Sequence, residues 1–83
     1  MVEGRMRYVC VAWADRDFLS WYKDEDALSN VGDWVKADRS YETDMIGEVK
    51  EVRHCLPEEP PCRGRIKPIN SLYKTCAEIK NSK

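Results

Sequence analysis

Nine consecutive residues, Met6 to Ala14, do most to limit the fold. Tyr8, Cys10, Ala12 and Ala14 fall on one side of an extended chain, and Val9, Val11 and Trp13 fall on the other. A strand that is apolar on both sides must be covered on both, which places it in a barrel or at a central sheet position. With 83 residues there is room for one core, so a single domain over 1–83 is expected. The apolar part, Tyr8 to Ala14, is about a third of the roughly 20 residues that cross a bilayer. Arg5 and Arg7 before it and Ala12-Trp13-Ala14 after it imitate an export signal, but the run is minimal in length and alternates like a strand. The expected setting is cytoplasmic, with the four cysteines reduced.

Further strands follow the same reading. Asp15-Arg16-Asp17 is a charged turn, and Phe18 to Lys23 is an aromatic-rich strand pairing back on the first. Asp24-Glu25-Asp26 reads as a solvated turn, and Gly32 supplies a positive φ before a third strand from Trp34 to Asp38. A polar hairpin loop, Arg39 to Asp44, leads to a fourth strand, Met45 to Arg53, where Ile46 and Val49 need a bulge or bend at Gly47. Pro57, Pro60 and Pro61 mark a surface loop, and Ile66 to Ile69, broken by Pro68, is a short edge strand. Leu72, Cys76 and Ile79 lie at helical spacing, so a helix is expected over about 71–80, with 81–83 fraying. These elements predict a mainly β protein: a small, strongly bent five-stranded barrel over about 6–69 and one short C-terminal α-helix.

Lys and Arg number 14 and Asp and Glu 15, so there is no broad basic field and any nucleic-acid site must be local. His54 is the only histidine and has no nucleophile, phosphate loop or metalloenzyme signature around it, so no enzyme and no cofactor are expected. Zinc through His54, Cys55 and Cys62 is a distant alternative, because six residues separate the two thiols where structural pairs have two to four. Cys10 and Cys76 read as small buried hydrophobes, and Cys55 and Cys62 as loop thiols. The aromatic residues suggest a platform on which single-stranded bases stack: Trp21, Tyr22, Trp34 and Tyr41, with Lys23, Lys36 and Arg39 for phosphates. Trp13, Phe18 and Trp34 compete for the core, which leaves Trp21, Tyr22 and Tyr41 as the surface candidates. Arg53, Arg63, Arg65 and Lys67 form a second basic group around the proline loop.

Val31-Gly32-Asp33-Trp34-Val35, followed by Ile46-Gly47-Glu48-Val49-Lys50-Glu51-Val52, resembles small barrels of the Src-homology-three and KOW type. With Arg16-Asp17-Phe18 before it and Ile66-Lys67-Pro68-Ile69 after it, the order from Tyr8 to Ile69 is similar to the N-terminal DNA 3′-end-binding domain of the bacterial primosomal replication-restart helicase. Stand-alone versions of that barrel in phages and mobile elements are similar too. The resemblance implies a barrel that binds a DNA end or single strand as an accessory to nucleic-acid machinery. Where the helicase domain has Phe-Asp-Tyr at its pocket, this chain has Leu19-Ser20-Trp21. The alternative partner is a host protein, bound through the same aromatic face or the acidic turn.

Overall fold

The computed structural model describes residues 4–39, 41–75 and 77–78. Five strands, β1 (Met6–Trp13), β2 (Leu19–Lys23), β3 (Trp34–Arg39), β4 (Glu42–Cys55) and β5 (Ser71–Lys74), form one antiparallel sheet in the order β2-β1-β4-β3-β5. β1 is central, as its two-sided apolar pattern requires, and Tyr8, Val9, Cys10 and Val11 are buried in unbroken succession. On the inner face Val9, Val11, Trp13, Tyr22, Val35, Ala37, Val49 and Ile69 make the main core. Each fully buried valine there stabilises the fold by roughly 1.5–3 kcal/mol. On the outer face the proline loop folds over one end of the sheet, and Tyr8, Cys55 and Ile66 gather with Met6, Trp21 and Cys62 into a second cluster.

The sheet bends at two irregularities in β4. Cys10 pairs with Glu51 but Val11 with Val49, so Lys50 is an extra residue. This bulge puts Val49 and Val52, three apart, on the same side against the core. The bulge expected at Gly47 therefore lies at Lys50, and Gly47 has a different task. Its position faces Val11 so closely that an added Cβ would sit 2.3 Å from Val11 Cγ1. The second irregularity separates Ala37↔Met45 from Arg39↔Glu42 and places Asp44 at φ 52°. Gly32 adopts φ 96°, the positive value its turn requires.

Two expectations are corrected. The sheet does not close into a barrel: β2 and β5 remain its two ends. The segment expected as a closing strand, Ile66 to Ile69, makes only one isolated bridge, between Lys23 and Pro68. Lys23 N–H donates to Lys67 O at 2.9 Å, Ile69 N–H to Lys23 O at 3.0 Å, and Asn70 N–H to Lys36 O at 2.7 Å. Lys23 is thus bracketed by Lys67 and Ile69, and the pairing does not continue along β2. The expected helix is also displaced, because Ser71–Lys74 is strand β5, paired on the open edge of β3. An unfilled row of backbone groups on β3 outweighs an apolar stripe that has little core left to cover. Thr75 and Glu78 then exchange hydrogen bonds as a capping box around the helical residues 77–78. Residues 76 and 79–83, on which the rest of that expectation falls, lie outside the described residues.

Candidate binding cleft at the open edge of the sheet

Adjacent strand residues face opposite ways, and that parity separates the aromatic and basic candidates. Tyr22 points inward and is buried, its ring edge-on to Trp13 with centroids 5.7 Å apart and its hydroxyl donating to Asp38 O. Burial raises its pKa. Arg39 is also buried, at 6 % exposure. Its guanidinium binds both carboxylate oxygens of Asp15, at 2.8 and 3.0 Å, and reaches Glu42 Oε1 at 2.8 and 3.0 Å. It also lies 5.0 Å from the Trp13 ring centroid and 6.0 Å from that of Phe18. Arg39 thus ties the β1–β2 turn to the β3–β4 turn, and has no free donor face for a phosphate. The same guanidinium lowers the Asp15 pKa to about 2.

The remaining candidates lie on the outer face, but apart. Trp21 is half-buried beneath Arg53, whose guanidinium is 4.9 Å from its ring centroid. Trp34 and Lys36 are half-buried on β3, where Lys36 Nζ lies 5.5 Å from the Tyr73 ring. Three interstrand steps separate Trp21 from Trp34, roughly 14 Å at the usual spacing. Between them the register places Glu48 and Glu51, held by Lys50 at 3.1 Å and Arg53 at 2.7 Å. Tyr41 stands fully exposed in the β3–β4 turn. Phe18, expected in the core, is 48 % exposed, because β2 begins one residue after it. The expected stacking platform is therefore not one surface.

Other expectations also shift. Asp24 is not solvated: at 2 % exposure its carboxylate accepts from Leu28 N, Ser29 N and Ser29 Oγ, each at 2.9 Å, and pairs with Arg7 at 2.6 Å. Glu25 and Asp26 are exposed beside it. Cys55 is buried rather than a loop thiol, while Cys62 is half-buried in the loop. His54 and Cys55 are neighbours on one strand and face opposite sides, and among the described residues no three His, Cys, Asp or Glu side chains converge on a metal position.

What the fold does bring together lies where the sheet fails to close. A cleft of about 690 Å³ runs between Tyr8, Lys23, the proline loop and Asn70. A second, of about 390 Å³, runs along Phe18 to Tyr22. They share Asp38, Arg65 and Lys67. Among the described residues Lys23, Arg65 and Lys67 have no carboxylate within ion-pair distance. Asp38 is already bonded by Asn70 Nδ2 at 2.7 Å and Asp44 N at 3.1 Å, and these bonds, with a smaller contribution from the Lys67 charge, lower its pKa. Arg65 and Lys67 were visible in the sequence as a basic group. Their meeting with Phe18 and Leu19 depends on the long-range bracket at Lys23, which no local signal announces.

Comparison of the chain with protein-family models, with curated proteins and with solved structures found no match. Among the described residues no helix is long and apolar enough to cross a membrane.

Proposed function

We propose that this chain is a non-enzymatic, cytoplasmic binding module whose ligand is an extended anionic chain held in the cleft between β2 and the Arg65–Pro68 segment. One observation carries the reading: Arg65 and Lys67, exposed and with no carboxylate within ion-pair distance among the described residues, line both clefts, and the smaller one runs along Leu19 to Tyr22 of the edge strand β2. The resemblance to the helicase 3′-end-binding domain and its stand-alone phage and mobile-element relatives makes a single strand of nucleic acid the first ligand, and nucleic-acid machinery the setting. The free edge of β2 favours a second reading, a protein segment, since strand edges recruit polypeptide.

The test is fluorescence anisotropy of a labelled deoxythymidine strand with a free 3′ end, beside a 3′-blocked copy, at low and physiological salt. Binding that the double charge reversal Arg65→Glu with Lys67→Glu abolishes, and that Lys36→Glu leaves intact, is the expected result. Equal sensitivity to both changes would mean diffuse electrostatic attraction and would remove the cleft as the site. Preference for the free end would support the likeness to the helicase domain.

A further inference from the structure

The hydrogen-bond parity of β2 says what kind of extended chain the cleft is built for. Lys23 turns both its N–H and its C=O away from β1, to Lys67 O and from Ile69 N. In an antiparallel pair the direction alternates, so Leu19 and Trp21 present their N–H and C=O groups on that same side, while Ser20 and Tyr22 face Val11 and Val9. Among the described residues no hydrogen bond engages the main chain of Leu19 or Trp21 on that side. The row begins as a bonded strand edge at Lys23 and continues unpaired into the smaller cleft.

Beyond Lys23 and the segment bonded to it, this edge carries little protection. From Phe18 to Tyr22 there is no proline and no charged side chain, and Phe18 and Leu19 are exposed beside it. The cations stand on the facing wall. Alternating donors and acceptors, repeating every two residues or about 7 Å, match the backbone of a peptide. A phosphodiester offers the carbonyls of Leu19 and Trp21 no donor at that repeat. Resting on the cleft reading above, we propose that the partner is an extended acidic peptide that adds as a sixth strand to β2, bonding the main chain of Leu19 and Trp21 and placing carboxylates on Arg65 and Lys67.

The experiment is amide hydrogen exchange by NMR on the whole chain, with a capped heptapeptide of alternating Glu and Val as the probe. Its controls are an N-methylated copy, a Lys–Val copy and the deoxythymidine strand. In the free protein Leu19 and Trp21 exchange fast while Lys23 is protected. The Glu–Val peptide slows Leu19 and Trp21 at least tenfold, the N-methylated and Lys–Val copies do not, and Arg65→Glu with Lys67→Glu cancels the effect. Leu19→Pro deletes one outward donor without touching the β1 ladder and weakens binding several-fold. Protection of Leu19 and Trp21 before any peptide is added overturns the proposal. Binding of the deoxythymidine strand without the peptide also overturns it but leaves the cleft as an anion site. No response of cleft resonances to either probe removes both.

Discussion

Gly47→Ala tests how β4 crosses β1. The glycine has no left-handed φ, so its conformational freedom is not the reason for it. Alanine is also no worse than glycine in a strand, and away from any clash the change would stabilise slightly. The obstacle is space. The added methyl would lie 2.3 Å from Val11 Cγ1, 3.0 Å from Ala12 O and 3.2 Å from Trp13 Cε3. Relief to ordinary contact requires about 1 Å of movement by a fully buried valine in a close-packed core. Overpacking of that kind costs about 2–3 kcal/mol, against the roughly 4–12 kcal/mol total expected for a chain of this length. Urea unfolding should therefore show a lower midpoint at unchanged slope. Val11→Ala, which removes the nearest atom, costs about 1.5–3 kcal/mol alone through the cavity it leaves. Combined, the two should cost at least about 1 kcal/mol less than their sum. Additivity within about 0.5 kcal/mol, or a neutral Gly47→Ala, would refute the close crossing.

Three further outcomes follow from the polar sites and thiols. Asp24→Ala strands Arg7, Ser29 and Leu28 without their acceptor and should cost about 3–5 kcal/mol, read by thermal melting; a loss below about 1 kcal/mol would place that carboxylate in solvent. Asp15 ionises at about 2 when folded and near 3.9 when unfolded, so its contribution is present above about pH 4 and is lost as pH falls towards 2. Asp15→Asn should flatten the acid limb of stability in that window, and an unchanged limb would break the link to Arg39. Alkylation of the native chain followed by mass spectrometry should label half-buried Cys62 before Cys55 or Cys10, whose thiol burial pushes up in pKa; the reverse order would mean the proline loop does not cover the sheet.

The parts of the fold legible in the sequence are those set by local pattern. The two-sided apolar run of β1, its hairpin with β2, the glycine turn at Gly32 and the proline loop all follow from residues within a few positions of one another. What failed depended on distant competition. Leu72 fits a helical stripe, yet the vacant edge of β3 draws it into β5. Arg39 has the charge for a phosphate but meets Asp15, 24 positions away. Tyr22 and Trp21 are equally aromatic, and only the register against Val9 and Cys10 decides which one faces inward. The cleft was legible as ingredients, a basic group and an aromatic strand. That the sheet would stop short of closing between them was not, since this turns on a long-range pairing that ends after one bridge at Lys23.

The burial of β1 on both faces has a consequence for how this sequence can drift. β3 alternates strictly, and its outward positions Trp34 and Lys36 can be exchanged without entering a core. β1 has no such outlet from Tyr8 to Val11, where each successive side chain is buried. Variation should therefore thin out along β1 and collect at the outward positions Trp34 and Lys36 of β3, on β5 and at the Tyr41 turn. A library of random substitutions selected for soluble expression would trace that contrast directly, with four adjacent silent columns at Tyr8–Val11.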